Sequence, residues 1–199
     1  MVENSGTPGR KLRTRQKLFA GADALFYEHG VRATSVDEVA AEAGVTKVTL
    51  YSHFASKDEL VTAYLDERDR RWRESLEDTL ASCADPGARL LAVFDAYREW
   101  VKAGDFRGCA FVNCAAEFPD PAHPVRAVIR RHKAGVRGRL KALATEAGVE
   151  DPASLSEQLF VVLEGTYVTA ALEGDEQLFS RVRALVDGLV QAAAEKSSV

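Results

Sequence analysis

Six side chains that suit contacts with nucleic acid lie within twelve residues in the first third of this 199-residue chain. They are Thr46, Lys47, Thr49, Tyr51, His53 and Lys57. Hydroxyls and cations are the groups that hydrogen-bond to base edges and hold phosphates, and a side chain such as Val48 can meet a thymine methyl group. The pattern therefore points to binding of double-stranded DNA.

Two short helices joined by a turn are predicted to position these groups. Ser35 and Glu38 form an S-x-x-E capping box, which predicts the start of the first helix. Gly44 can take the left-handed conformation that closes a helix, and Thr46 can cap the second helix, which runs to about His53. This is a helix-turn-helix, whose second helix enters the major groove. Its predicted DNA-binding residues are Thr34, Ser35, Thr46, Lys47, Val48, Thr49, Tyr51, His53 and Lys57.

Lys57 belongs to the next element, a long helix that a second capping box, Ser56 with Glu59, is predicted to open. A cation in the first turn of a helix is disfavoured by the helix dipole unless a phosphate lies nearby. Two short helices with a glycine between them also occur in many all-helical proteins that bind no DNA. The concentration of hydroxyls and cations on the second helix favours the DNA-binding interpretation.

Residues 13–60 resemble the DNA-binding domain of the TetR family of bacterial transcriptional regulators. The resemblance rests on the consecutive pieces LFYEHGVRATSV, DEVAAEAGV, TKVTLYSHF and SKDEL, which include the run T-L-Y-x-H-F-x-S-K-x-x-L. Val48 is a departure, because many relatives carry Gly, Ala or Pro there. A branched side chain at this position suggests contact with a thymine methyl group or a different operator preference.

Charge and composition agree with this resemblance. The net charge is −4, but residues 1–57 contain eight Lys or Arg against six Asp or Glu, so the basic end of the chain coincides with the helix-turn-helix. No apolar run reaches the roughly 18 residues that a membrane span needs, and MVENSGTPGR lacks the apolar core of a secretory signal. Three cysteines suit a reducing compartment, so we expect a cytoplasmic protein.

The rest of the chain shows helical patterns punctuated by Gly and Pro, without a convincing strand, and predicts an all-α fold of about nine helices, the number that the resemblance implies. We expect a disordered tail over residues 1–9, a DNA-binding domain of three helices over 10–56, and a ligand-binding and dimerisation domain over 57–199. Four basic residues that follow the tail could approach the DNA backbone or minor groove, or simply form a solvated helix start. They are Arg10, Lys11, Arg13 and Arg15.

A ligand pocket is predicted among the middle helices, where six aromatic residues lie between Phe94 and Phe118. A few polar groups within an aromatic lining are typical of small-molecule sites, although aromatics at helical spacing also form plain core. The predicted pocket residues are Phe94, Tyr97, Trp100, Phe111, Asn113, Glu117 and Tyr167. The segment RGCAFVNCAAEFPDPAHPVR also resembles a branch of TetR proteins that share a G-C-x-x-x-N-x-x-x-E pattern, which does not identify the effector.

The last two helices predict a homodimer. The helix before Gly174 is apolar nearly all round, so it must bury two faces, one of which can pack against a partner. The resemblance implies that the last two helices of each subunit form a four-helix interface, and an intramolecular core is the alternative. The predicted interface residues are Phe160, Leu163, Tyr167, Val182, Leu185, Val186 and Leu189.

Other functions find less support in the residues. The four histidines lie in no recognisable catalytic motif, so we expect no enzymatic activity, and no metal or other cofactor is expected. A helical adaptor that binds proteins would not need a basic recognition helix. The Arg- and Lys-rich helix from Pro124 could form a second nucleic-acid surface, but a solvated face is the simpler interpretation. Cys109 and Cys114 could form a redox switch, although buried inert thiols are the default.

The sequence thus predicts a ligand-responsive, DNA-binding transcriptional regulator. We expect a homodimeric repressor that a small apolar effector releases from a palindromic operator. A transcriptional activator with the same fold, or a redox-responsive regulator, is the alternative. The predicted partners are operator DNA, the effector and a second copy of the chain, and no membrane.

Overall fold

The computed structural model describes residues 8–102, 106–174 and 177–196, which form nine α-helices and no strand. The predicted all-α fold is confirmed. The helices are α1 Pro8–His29, α2 Val36–Glu42, α3 Lys47–Tyr51, α4 Lys57–Ala81, α5 Pro86–Lys102, α6 Ala110–Glu117, α7 Pro124–Glu146, α8 Pro152–Glu173 and α9 Leu178–Lys196.

The local signals in the sequence set most of these bounds. α1 ends at His29 because Gly30 adopts a positive φ of 88°, and α8 ends before Gly174, which adopts a φ of 62°. Pro86 begins α5, where the Asp85 carboxylate accepts a hydrogen bond from the N–H of Ala88 at 2.6 Å. The predicted disordered tail lies outside the described residues for positions 1–7, whereas Pro8 and Gly9 already belong to α1.

The chain forms two compact units, which we call unit 1 and unit 2. Unit 1 comprises residues up to Arg68 together with Ala110–Ile129, and unit 2 comprises Asp69–Cys109 and the residues from Arg130 onward. Unit 1 therefore extends past the expected boundary at residue 56 and includes α6. That inclusion depends on contacts between segments far apart in sequence, which a local pattern does not report.

The core of unit 1 includes the apolar faces of α1, α2, α3 and α4. Leu18, Leu50 and Tyr64 are fully or almost fully buried, and the rings of Phe26 and Tyr64 meet edge to face with centroids 5.6 Å apart. Gly21 allows α1 to approach α2 closely, since a Cβ there would lie 3.2 Å from the backbone nitrogen of Ala43. This close packing fixes the first helix of the helix-turn-helix against α1.

A cluster of aromatic rings, which we call the aromatic cluster, lies in the core of unit 2. Tyr97 lies at the centre, with ring centroids 4.2 Å from Trp72 and 4.5 Å from Tyr167, both edge to face. Trp100 extends the cluster from Trp72 at 5.6 Å, and Phe106 extends it from Tyr167 at 5.5 Å. Such pairs add to the stabilisation that burial of their apolar surface already provides.

The buried face of α8 and α9 differs from the expected one. Phe160, Leu163, Tyr167, Val182 and Val186 were predicted for the dimer interface but are buried within unit 2, so they form the core of a single protomer. An all-round apolar helix gives no signal for which face turns inward, and packing against α5 and α9 decides it.

A different set of apolar groups on the same two helices faces solvent. Leu172 is 80% exposed and Val161 is 67% exposed, and half-exposed Val168 lies between them at helical spacing. Of the residues predicted for the interface, Leu185 is 53% exposed and Leu189 is partly buried, so both stay candidates.

Candidate nucleic-acid interface

The recognition helix α3 is short and firmly anchored. The Thr46 hydroxyl accepts a hydrogen bond from the N–H of Thr49 at 3.1 Å, which caps the helix as predicted. Leu50 is fully buried and fixes the inner face of α3, whereas Val48 is 80% exposed and Tyr51 is 44% exposed. The helix therefore presents a branched apolar group and a phenol to solvent on a rigid base.

The capping box at the start of α2 is confirmed in both directions. The Ser35 hydroxyl accepts a hydrogen bond from the N–H of Glu38 at 3.2 Å, and the Glu38 carboxylate accepts one from the N–H of Ser35 at 2.6 Å. The backbone N–H of Ser35 and, to a smaller degree, its hydroxyl stabilise the carboxylate and lower the pKa of Glu38. Gly44, with a φ of 64°, then ends the first helix and allows the turn into Thr46.

Lys47 is paired with an acidic residue of α2. Its ammonium donates a hydrogen bond to Oδ2 of Asp37 at 2.9 Å, and this contact raises the pKa of Lys47. Both side chains are exposed, so the pair can exchange one partner for another at little cost. A phosphate approaching α3 would compete with the Asp37 carboxylate for the same ammonium.

A second group of cations surrounds His53. The pKa of His53 is lowered by partial burial and by the positive charges of Arg15 and Lys11, which lie on the first turns of α1. The Arg15 guanidinium lies 5.0 Å from the ring centroid of Phe54 and 5.2 Å from that of Phe19, and these contacts hold it in place. The basic start of α1 thus lies next to the end of α3.

Two predicted contact residues have local structural roles. Thr34 is buried, and its hydroxyl donates to the backbone carbonyl of Gly30 at 2.8 Å, so this residue braces the turn between α1 and α2 rather than facing solvent. Ser35 is exposed, but its hydroxyl serves as the cap of α2. The backbone around these residues, and not the Thr34 side chain, is what a nucleic acid could reach.

Lys57 is the first residue of α4 and is half-buried. The Ser56 hydroxyl accepts from the N–H of Glu59 at 3.1 Å, as the second capping box predicts. The Glu59 carboxylate, however, accepts from the N–H of Ala55 at 2.6 Å, one residue before the expected donor. The start of α4, where Lys57 lies, is thereby well defined.

The residues of the predicted ligand pocket fall into different parts of the fold. Phe94 and Tyr97 are buried in unit 2, with half-buried Trp100 and buried Tyr167 in the same aromatic cluster. Phe111, Asn113 and Glu117 belong to α6 in unit 1, where Phe111 is buried and Asn113 is exposed.

Glu117 was predicted to line the ligand pocket, but its carboxylate is hydrogen-bonded to the backbone of a distant turn. Its Oε1 accepts from the N–H of Val31 at 2.9 Å, and its Oε2 accepts from the N–H of Arg32 at 2.6 Å. Both oxygens are therefore engaged by the turn between α1 and α2. The sequence contained no local signal for this, because the partners lie 85 and 86 residues away.

Two cavities lie at the edges of the aromatic cluster within unit 2. A cavity of about 580 Å³ is bordered by Phe106 of the cluster, and a cavity of about 370 Å³ is bordered by Trp72. The larger one is lined by Arg98, Val101, Lys102, Phe106, Ala170, Gly174, Phe179 and Ser180. Its volume lies within the range of roughly 300–1,000 Å³ that is typical of ligand sites.

At least three of the seven Lys and Arg residues of the basic helix α7 are engaged by other side chains within unit 2. The Lys133 ammonium lies 2.6 Å from the Glu164 carboxylate, and Arg139 donates two hydrogen bonds of 2.8 Å to Glu77. The Arg137 guanidinium stacks over the ring of Phe160, with its Cζ atom 3.8 Å from the ring centroid. These contacts leave the second nucleic-acid surface without support.

Other chemistry can be assessed for the described residues. They contain no group of three or more His, Cys, Asp or Glu that could hold a metal ion, and they include all three cysteines without a disulfide. No helix in the described part of the chain is both long and apolar enough to cross a bilayer.

Comparisons with known proteins identify the class that this fold and interface define. Residues 18–64 match the family model for bacterial regulatory proteins of the tetR family, and residues 86–186 match the tetracyclin repressor-like C-terminal domain. The crystal structure of SCO4454, a TetR-family transcriptional regulator from Streptomyces coelicolor, has a TM-score of 0.86 and 31% identity, covering 92% of this chain and 96% of that chain.

Curated relatives agree. The HTH-type transcriptional regulator YjdC from Escherichia coli is 27% identical over 76% of this chain and 80% of its own length. The HTH-type transcriptional repressor KstR2 from Mycobacterium tuberculosis is 39% identical over 44% of each chain. The chain belongs to the TetR family, and it is a ligand-responsive, DNA-binding transcriptional regulator. Members of this family bind operator DNA and act as dimers.

Proposed function

We propose that the protein is a dimeric repressor that inserts α3 of each subunit into the major groove of a palindromic operator and is released by a small, mostly apolar effector. The observation that carries this proposal is the outer face of α3. Val48 and Tyr51 are exposed there while Leu50 is fully buried, so a rigidly anchored helix presents a methyl-bearing side chain and a phenol to a partner. DNA is the partner that the neighbouring cations favour.

The proposed contacts with DNA fall into two groups: those that read base edges and those that position the protein on the DNA backbone. Val48 and the hydroxyls of Thr46 and Thr49 lie on or next to α3 and suit base edges. Tyr51, His53 and Lys57 suit phosphates, and contacts with phosphates fix the register of the protein on the duplex. Lys47 serves either role after it leaves Asp37.

The dimer supplies the symmetry of the operator. The exposed stripe Val161, Val168 and Leu172 on α8, continued by Leu185 on α9, is the surface that a second copy would cover. Gly165 is exposed on the same face of α8 and permits close helix approach. Two copies related by a two-fold axis present their recognition helices about 34–36 Å apart, one helical turn of DNA.

The effector site is the larger cavity of unit 2. Val101, Phe106 and Phe179 supply apolar walls, and Arg98 and Lys102 supply the few polar groups that orient a ligand. Phe106 contacts Tyr167 of the aromatic cluster, so a bound molecule would bear on the core of the unit. The effector lowers operator affinity only by its differential affinity for the two states of the protein. Acting on the bacterial chromosome, the protein works in the cytoplasm.

Selection of bound sequences from a random DNA pool tests the proposal. The purified dimer is expected to enrich a palindrome with half-sites about 10 base pairs apart, centre to centre. The enriched site then serves as a probe in a screen for molecules that release it. Enrichment of a single non-palindromic half-site would contradict dimeric binding. Equal affinity for the enriched site and for a scrambled duplex would contradict specific readout.

A further inference from the structure

One long-range contact in unit 1 has no part in the contacts proposed with DNA. Glu117 is the last residue of α6, and its carboxylate accepts hydrogen bonds from two consecutive backbone N–H groups, those of Val31 and Arg32. The distances are 2.9 and 2.6 Å, and the residues that meet are more than 80 positions apart in the chain. Hydrogen bonds from N–H groups to an ionised carboxylate are stronger than those between two neutral groups, and this carboxylate accepts two of them.

The backbone of the turn is shaped to receive this carboxylate. Gly30 has a φ of 88°, and a Cβ at this position would lie 3.2 Å from Oε1 of Glu117. A side chain at residue 30 would therefore both strain the backbone and crowd the carboxylate. The absence of that side chain allows the N–H groups of Val31 and Arg32 to converge on Glu117.

The same turn determines where the helix-turn-helix begins. Val31 is buried, and the Thr34 hydroxyl ties the far side of the turn to the carbonyl of Gly30 at 2.8 Å. Ser35, the next residue, is the cap of α2. The segment from Gly30 to Ser35 is thus held by Glu117 on one side and by Thr34 on the other.

A second polar contact joins the segment after α6 to the start of α4. His123 Nε2 lies 3.2 Å from Oδ2 of Asp58, one residue after Lys57. The segment that contains α6 therefore contacts the helix-turn-helix region both before α2 and after α3. Glu117 provides the stronger of the two contacts, since it uses both oxygens.

We propose that Glu117 is a positioning residue for DNA recognition: its carboxylate holds the turn between α1 and α2 and thereby sets the placement of α2 and α3 in the operator-binding state. This inference rests on the proposed function. It further implies that any displacement of the end of α6 is passed directly to the helix-turn-helix through this carboxylate. Glu117 acts through the backbone and need not touch DNA or effector.

The test compares Glu117→Gln with wild type. Glutamine keeps the size of the side chain but offers one acceptor oxygen, and its NH₂ group would face one of the two N–H groups. Asp120→Asn is the matched control, because Asp120 lies in the same segment and accepts only a local hydrogen bond, from the N–H of Ala122 at 2.9 Å. Each variant is titrated with the selected operator and with a scrambled duplex, and hydrogen exchange is followed at the amides of Val31 and Arg32.

Glu117→Gln is expected to weaken operator binding about tenfold while leaving scrambled-duplex binding unchanged, with faster exchange at both amides. Asp120→Asn should match wild type in all three measurements. A merely structural role would lower the melting temperature without changing the ratio of operator to scrambled affinity, and that unchanged ratio would overturn the inference. If Glu117→Gln does not fold, Glu117→Asp takes its place, because its carboxylate is one methylene too short to reach the turn. The same ratio of operator affinity to scrambled-duplex affinity is then measured.

Failure of this inference is distinguishable from failure of the proposed function. If wild type selects no DNA sequence, the proposed function itself is wrong. If wild type binds an operator and the Glu117 variants bind it with the wild-type ratio, only the positioning role of Glu117 is wrong.

Discussion

The ammonium of Lys47 lies 2.9 Å from Oδ2 of Asp37, so the first residue of the recognition helix is paired with the helix before it. Both side chains are more than half exposed, and the contact raises the pKa of Lys47. The pair therefore contributes little to folding, and its main effect is on charge at the DNA-binding face. Asp37 acts as an internal competitor for the phosphate that Lys47 would otherwise hold.

Removal of Asp37 is expected to strengthen DNA binding. Asp37→Asn should increase affinity severalfold for operator and scrambled duplex alike, because the Lys47 ammonium then meets phosphate without first leaving a carboxylate. Lys47→Gln should weaken binding and reduce the slope of log affinity against log salt by about 1. Fluorescence anisotropy at several salt concentrations measures both effects.

The double variant Asp37→Asn with Lys47→Gln provides the control for this pair. If the carboxylate acts through Lys47, Asp37→Asn should have a smaller effect when Lys47 is absent than when it is present. Equal effects in both backgrounds would show that Asp37 merely repels DNA as a general negative charge.

Operator affinity is expected to rise as the pH falls from about 8 to 6, because His53 takes up a proton on binding. In the free protein, partial burial and the positive charges of Arg15 and Lys11 lower the pKa of His53, which favours the neutral imidazole. A phosphate beside the ring favours the charged form and raises this pKa. Titrations with operator at constant ionic strength across this pH range measure the effect.

Folding stability should respond in the opposite direction at the same residue. Because the pKa of folded His53 lies below its unfolded value, its contribution to stability is present above that unfolded value and is lost as the pH falls through the folded value. His53→Gln should remove its share of the pH dependence from both affinity and stability. A wild-type affinity that is flat with pH would contradict a phosphate contact at His53.

The exposed stripe on α8 predicts a clear division between dimerisation and folding. Leu172→Asp should shift the protein from dimer to monomer at micromolar concentration while the protomer stays folded, since Leu172 is 80% exposed. Leu163→Ala should instead affect folding, because Leu163 is fully buried. It should lower the free energy of unfolding by about 2–5 kcal/mol and leave the folded protein dimeric. Analytical ultracentrifugation and denaturant unfolding distinguish the two. A dimeric Leu172→Asp protein would place the interface elsewhere.

The two cavities that border the aromatic cluster allow a matched test of the effector site. Ala170→Trp adds a large ring to the cavity of about 580 Å³ and should abolish release of operator by compounds found in the screen, while operator affinity without them stays near wild type. Ala142→Trp adds the same ring to the cavity of about 370 Å³ and should leave the response intact. The opposite result, loss of response only in Ala142→Trp, would assign the effector to the smaller cavity.

Local chemistry in the sequence was sufficient for the helix-turn-helix. The caps at Ser35, Thr46 and Ser56, the left-handed Gly44 and the end of α1 at Gly30 depend on residues within four positions of one another. Interactions between residues so close in sequence can be recognised from the residue types alone, so the helices of this region lie close to their predicted positions.

Long-range relationships could not be predicted in the same way. The sequence showed that α8 is apolar nearly all round, but only packing against the other helices of unit 2 decides that Leu163 turns inward and Leu172 outward. The partners of Glu117 lie 85 and 86 residues earlier, and they are backbone N–H groups that carry no residue signature. The cavities likewise depend on long-range packing: the larger one is lined mainly by α5, α8 and α9, and the smaller one by α4 and α7.

The central claim is that the exposed face of α3 binds DNA, and Tyr51→Ala tests it most directly. The measurement is the affinity of wild type, Tyr51→Ala and Val112→Ala for the selected operator. Val112 is a control of similar exposure on α6, away from α3 in the sequence. We predict at least a tenfold loss for Tyr51→Ala with the dimer still folded, consistent with loss of about one charged hydrogen bond, and none for Val112→Ala. Wild-type affinity in Tyr51→Ala would contradict the account.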